Sequence, residues 1–338
     1  MSTIRLGVIA LFACCAGLTP MAAAKAPVGS PKAPAAQAKA SAETYAAPRT
    51  SFGQPSLEGF WTQNFLILME ASPQIPTLVV PEAAAKAMAA QVASAIGGVF
   101  DRQLDPEVPA LMQATEGFPI VRGERRSRSV VEPADGKLPY TPEARKEAAR
   151  GYGGTRADNP EERPNWERCI TSLGLPPVSG MFTTSANPRH IIQTREAIVV
   201  HTEYGDEARI IPFSTTHRPV ALYSVLGDSI ARWEGDTLVI ETVGLPEHDR
   251  VRVFTNLIVP GTSKVIERFT RLSDKELLYQ YTVEDPTTFT APWLAEYSLY
   301  RTDQRMFEHA CHEGNYSLPN ILKAERVKEA RAAAKPPG

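Results

Sequence analysis

Three strand-turn-strand units follow one another between Ser229 and His312 with no helical stretch between them. "SIARW" and "TLVIETVG" flank "EGD", where Gly235 supplies the positive φ of a tight hairpin. "KVIERFTRL" and "LLYQYTVED" flank "SDKE", and "AEYSLYR" and "RMFEHACH" flank Thr302 to Gln304. Upstream, "HIIQTREAIVVHTEY" and "ARIIPF" add strands rich in Ile and Val. Consecutive hairpins without helices make an antiparallel meander. A single sheet of about eight strands loses its exposed edges by closing on itself, and a barrel of that size can hold one small ligand. The fold class expected is therefore mainly β, a meander barrel. A sheet with one face against a helix or loop fits the same pattern.

Alternation along the strands assigns their faces. Val265, Glu267 and Phe269 oppose Ile266, Arg268 and Thr270, while Tyr279, Tyr281 and Val283 oppose Leu278, Gln280 and Thr282. Neither face is purely apolar, which suits an interior that is partly polar and lined by aromatic rings.

Helical patterns lie outside the meander. "PEAAAKAMAAQVASAI" opens with Pro81 and stops at Gly97-Gly98, and "TPEARKEAAR" has Thr141 as N-cap and Gly151 as stop. They mark a helical insertion at about residues 81–165, and "LPNILKAERVKEARAAA" forms a C-terminal helix. Inside the insertion, "VRGERRSRSVVEP" carries four arginines in seven residues and reads as a solvated loop rather than an anion site.

The chain begins with Arg5, an apolar run from Leu6 to about Ala16 and small residues Ala22 to Ala24, the pattern of a cleavable signal peptide over residues 1–24. The run falls short of the ~20 residues of a membrane span, so no transmembrane segment is expected. "LFAC" at Cys14 also resembles a lipobox, an alternative in which the exported chain is a lipoprotein. Either way the protein is expected in the periplasm or secreted. Residues 25–50 are an Ala/Pro tether, and residues 51–331 form a single domain. With 43% hydrophobic residues, 22% charged residues and a formal net charge of -2, nothing in the composition points to nucleic acid.

"LEGFW" resembles the Gly-x-Trp signature of lipocalins and their calycin relatives, with Gly59 and Trp61 at the matching positions. That resemblance implies a lipocalin-like barrel closed at one end by the tryptophan. "LGDSIARWEGDTLVIET", "VEDPTTFTAPW" and "ACHEGNYSLPNIL" further resemble a family of secreted bacterial proteins. This second resemblance covers most of residues 55–325 and implies export and a barrel-like domain, but no activity.

The densest polar chemistry is "FEHACHEGNY", Phe307 to Tyr316. As an extended strand it would put His309, Cys311 and Glu313 on one face and His312 on the other. There is no HxxxH, CxxC or HxH spacing, and no metal is expected. After export only Cys169 and Cys311 remain, and a disulfide between them is the first expectation, with free thiols or a reactive Cys311 as the alternatives. His312, Glu313, Asn315 and Tyr316 stand where the strand gives way to a turn, a place where polar side chains can meet a ligand or serve the turn itself.

These residues support two main functions. The first is an exported binder of a small, partly apolar or aromatic molecule, with Arg209, Arg232, Asn315, Tyr316, Tyr281 and Trp293 as candidate contacts. The second is an enzyme without organic cofactor, a lyase, isomerase or hydrolase. In it His312 is the general acid or base, Glu313 or Asp206 orients it, and Arg209 or Arg232 binds substrate charge. An envelope interaction module is a third class. Asp206 with Arg209, and Arg232 with Glu234 and Asp236, read as charged clusters at a rim. "GDS" at Gly227 to Ser229 resembles hydrolase motifs but lacks a strand-to-helix setting, so Ser229 reads as a turn residue.

Overall fold

A computed structural model of the chain describes residues 45–63, 68–87, 90, 118–149, 157–163, 167–170, 188–245 and 257–334. The chain divides into two compact units, Met1–Glu43 and Thr44–Gly338. The expected signal peptide, Cys14, most of the tether, and the Gly97-Gly98 and Gly151 helix stops lie outside the described residues.

The second unit starts with β1 (Gly59–Thr62), then the short β2 (Ile120–Val121), β3 (Glu124–Arg125) and β4 (Val130–Glu132), and helix α1 (Pro142–Ala148). β5 (Arg189–Gln193), β6 (Ala197–Thr202), β7 (Glu207–Pro212), β8 (Asp228–Glu234), β9 (Thr237–Val243), β10 (Lys264–Arg271), β11 (Glu276–Glu284) and β12 (Trp293–Arg301) come next, and helix α2 (Ser317–Ala333) is last. Nine strands form one antiparallel path in the order β7-β6-β5-β1-β12-β11-β10-β9-β8. The mainly β barrel expected from the hairpins is present, with nine strands where about eight were expected. β1 is the one departure from a meander, wedged between β5 and β12 through Trp61↔Arg189 and Trp61↔Arg301.

An odd number of alternating strands has a geometric consequence. The end strands β7 and β8 run the same way, so the barrel can close only along a parallel seam, where pairing is slightly weaker per residue. The seam carries a single backbone bridge, Phe213↔Ala231, and the barrel is nearly closed.

The third expected hairpin does not form. β12 pairs with β11 across residues 285–292 on one side, and with β1 and β4 on the other. Both edges of β12 are thus occupied, and "RMFEHACH" has no free edge to add to. Residues 302–310 have no regular structure and 311–314 form a turn, so the alternation assigned to His309, Cys311 and His312 does not apply.

The insertion is only partly helical among its described residues: residues 82–87 and α1 are helical, with Thr141 Oγ1 accepting from the Ala144 amide at 3.3 Å. β4 lies beside the half of β12 that β1 does not reach, through Leu294↔Glu132 and Ala295↔Val130. The arginine run is not a solvated loop. Arg126 and Arg128 are buried; Arg128 donates to the carbonyls of Val130, Pro76 and Ala134, and Arg125 pairs with Glu82 at 2.6 Å. A guanidinium has five donors, so one such side chain can tie several loop carbonyls to a strand.

The core follows the expected parity. Val265, Glu267, Phe269 and Arg271 of β10 are buried while their neighbours are half-exposed. Trp61, fully buried, donates Nε1–H to the Leu57 carbonyl at 2.8 Å, and the guanidiniums of Arg271 and Arg301 lie over its ring at 5.7 and 5.9 Å. Arg301 Nη1 would be 3.1 Å from a Cβ at Gly59, which has φ +131, so a side chain there is strained by the backbone and has to displace that guanidinium slightly.

Gly227 and Gly53 separate strain from contact. Both have positive φ, but a Cβ at Gly227 would meet the Val243 carbonyl oxygen at 2.6 Å, while at Gly53 it meets nothing. Gly53→Ala should cost about 1 kcal/mol and Gly227→Ala more than about 2 kcal/mol in denaturant unfolding, because a strand carbonyl cannot move aside.

Candidate functional site

Register brings aromatic rings together on the inner wall. Tyr279 stands opposite Phe269 on one side and Tyr297 on the other, and Tyr281 opposite Glu267 and Ala295. Tyr279 meets Tyr297 edge-on at 5.2 Å, Tyr281 meets Trp293 edge-on at 5.6 Å, and Phe289 covers Trp293 at 5.6 Å. Burial raises the phenol pKa of Tyr279, Tyr281 and Tyr297, so all three remain protonated at neutral pH and can donate.

Two arginines enter the same interior. Arg209 of β7 meets Glu267 of β10 with two bonds, Nη1 to Oε1 at 3.0 Å and Nη2 to Oε2 at 2.7 Å, both side chains being fully buried. Arg209 Nη2 also approaches Ser229 Oγ at 3.3 Å and Thr242 Oγ1 at 3.4 Å, and the Tyr279 hydroxyl donates to Glu267 Oε1 at 2.9 Å. Burial alone would lower the guanidinium pKa, but the facing Glu267 carboxylate raises it. One side chain thus reaches from β7 across the seam to β8, β9 and β10.

Arg189 of β5 differs. It is 1% exposed, and its Nη1 makes only a 3.5 Å contact with Gln63 Oε1. Its Nε and Nη2 have no hydrogen-bond partner, and no carboxylate among the described residues pairs with it. Burial lowers its pKa. A guanidinium remains charged even so.

Comparison with family models and with curated proteins gives no match to this chain.

The residues singled out from the sequence fall into three places. Tyr281, Trp293 and Arg209 belong to the barrel interior. Arg209 is therefore not clustered with Asp206 at a rim: Asp206 takes a left-handed φ of 49° on the β6-β7 turn and pairs with His201 Nε2 at 2.9 Å. Arg232 is exposed and pairs with Glu234, which also binds Arg268, whereas Asp236 pairs with Arg49. That charge network lies on the outside of the wall, away from the interior.

His312, Glu313 and Asp206 line one surface depression of about 280 Å³, together with Tyr204, His309 and the disulfide. Cys169 and Cys311 are bridged, with Cα atoms 5.7 Å apart. The imidazole of His312 makes no hydrogen bond to a described residue, and Asp206, engaged by His201, does not orient it. Asn315 serves the bridge, its Nδ2 donating to the Glu167 carbonyl at 2.8 Å and approaching Cys169 Sγ at 3.4 Å. Tyr316 is exposed at the start of α2. Among the described residues no group of three His, Cys, Asp or Glu side chains could hold a metal ion.

Ser229 is a strand residue rather than a turn residue, its hydroxyl 2.8 Å from Thr242 Oγ1. Its neighbour Asp228 is buried, accepting from His217 Nδ1 at 2.8 Å and from Arg218 Nε at 2.5 Å. These bonds tie the β7-β8 connection to the first residue of β8. Sequence reading passed over Arg189 and Tyr297. The parity of "RHIIQ", with Arg189 and Gln193 on the face of the core residue Ile191, was the available signal.

Two outcomes are expected. Glu267→Gln leaves Arg209 buried without a counter-charge and should lower unfolding stability by about 3–5 kcal/mol, while Arg209→Met with Glu267→Leu should recover most of it. Cys169→Ser with Cys311→Ser should cost about 2–4 kcal/mol in denaturant melts, and the native thiols should resist alkylation until a reductant is added.

Proposed function

We propose that this protein is an exported, lipocalin-like carrier or receptor that takes one small, partly apolar or aromatic molecule into its barrel. The single observation that carries the reading is the inner wall itself, where Tyr279, Tyr281, Tyr297 and Trp293 converge with a few fixed polar groups. Small-molecule sites combine mostly apolar and aromatic linings with a small number of placed polar groups. Trp61, buried where the Gly-x-Trp resemblance sets it, supports a barrel with one end plugged. The signal-peptide pattern of residues 1–24 and the Cys169–Cys311 bridge support export, since disulfides persist in oxidising compartments. Among the described residues no helix is long and apolar enough to cross a membrane.

The acid/base reading of His312 has one observation in its favour, the depression it shares with Asp206 and Glu313. Against it stands the engagement of Asp206 by His201, and neither Asp206 nor Glu313 is hydrogen-bonded to the His312 imidazole.

Ala295 tests the choice. It is fully buried on the inner wall beside Tyr281. Wild type should bind the neutral fluorophore N-phenyl-1-naphthylamine and gain melting temperature. Ala295→Phe, costing about 1–3 kcal/mol of stability by overpacking, should lose that binding. His312→Ala should bind as wild type does. No binding by wild type of this compound or of its sulfonated analogue, or binding lost only in His312→Ala, overturns the interior site.

A further inference from the structure

We infer that the molecule held in the barrel is an anion, and that Arg189 is the group that receives its carboxylate-type head. This inference rests on the barrel-binding reading above and adds the charge of the ligand to it. Arg189 carries a full positive charge at 1% exposure, with Nε and Nη2 unmatched by any protein acceptor. Such an arrangement is costly, because a buried charge needs both a counter-charge and hydrogen bonds to offset its lost hydration. Two buried carboxylates share the inner face: Glu267, which Arg209 holds with two bonds and Tyr279 with a third, and Glu207 of β7, which makes no ion pair with Arg189. Gln63 offers only a neutral oxygen at 3.5 Å.

The two interior arginines therefore have different roles. Arg209 is neutralised within the protein, both of its terminal nitrogens on Glu267, and closes the seam. Arg189 leaves one buried edge of its fork, Nε–H and Nη2–H, without an acceptor, and that edge matches the two oxygens of a carboxylate or of a sulfonate or phosphate. The rings of Tyr297 and Tyr279 pack together at 5.2 Å on the same inner face, so an anion with an apolar body would also meet aromatic surface. The ligand class that satisfies both demands is an amphiphile with one anionic head and an aromatic or aliphatic body.

A pair of probes differing in one group tests this. 8-Anilinonaphthalene-1-sulfonate carries the ring system of N-phenyl-1-naphthylamine plus a sulfonate. The full disulfide-bonded chain should bind the sulfonate about tenfold or more tighter than the neutral compound, since hydrogen bonds to charged groups are the stronger ones. Arg189→Met should lose that preference while still binding the neutral probe, and without ligand should melt no lower than wild type. Ala295→Phe, which fills the interior, should bind neither probe, separating interior binding from adsorption at exposed apolar residues. Should Arg189→Met not fold, wild type and Arg189→Lys decide: the lysine keeps the charge, loses the fork, and should retain only part of the preference. Equal binding of the two probes by wild type, or an anion preference that survives in Arg189→Met, overturns the role of Arg189 and leaves the barrel reading standing. Failure of both probes to bind wild type overturns both.

Discussion

The ion pair between Arg209 and Glu267 holds together the one line where this barrel has little backbone pairing. Nine alternating strands leave β7 and β8 parallel, joined by a single bridge at Phe213 and Ala231. Arg209 spans that line from inside, bonding Ser229, Thr242 and Glu267 on the three strands beyond it. The connection outside is fixed as well, by His217 and Arg218 on Asp228. Buried ion pairs contribute little net stability against a hydrophobic replacement, but they specify which groups meet. Here the specified meeting is the closure of the barrel.

Closure explains why the interior can be polar. A charge in a barrel is cut off from water on all sides, so each one needs its partner within reach. Arg209, Glu267 and Tyr279 bond one another, and only the Nε of Arg209 is left without an acceptor. Arg271 finds the Ser56 and Ser273 carbonyls and packs on Trp61 at one end. Arg189 alone among these side chains is left with two unmatched donors, and for that reason it bears on function rather than on the fold.

The C-terminal segment shows how an occupied edge redirects a chain. β12 has β11 on one side and β1 and β4 on the other, so the chain leaves the sheet after Arg301. The disulfide to Cys169 and the Asn315 bonds then fix that segment against the stretch before β5. The polar cluster of Phe307 to Tyr316 owes its position to these ties and to the β6-β7 turn, where the Phe307 amide donates to Glu203 Oε2 at 2.8 Å and His309 meets Tyr204 at 4.4 Å.

Much of this was legible in the residue order because the signals are local. A side-chain period of two sorted Val265, Glu267 and Phe269 from their neighbours, a positive-φ glycine at Gly235 marked a hairpin, and Cys169 and Cys311 are the two cysteines outside the N-terminal apolar run. The sequence by itself thus determined the β class, most hairpins and the two-residue alternation of β10 and β11, and it made the Cys169–Cys311 bridge the first expectation. The remaining features depend on which edges are still free once other strands have paired, and on side chains that meet from distant strands. The wedging of β1, the use of β4 as wall, the loss of the third hairpin and the pairing of Arg209 with Glu267 rather than Asp206 all have that origin. So does the difference between Arg209 and Arg189: both are arginines on strands with apolar neighbours, and only the closed barrel decides which one has a carboxylate within reach.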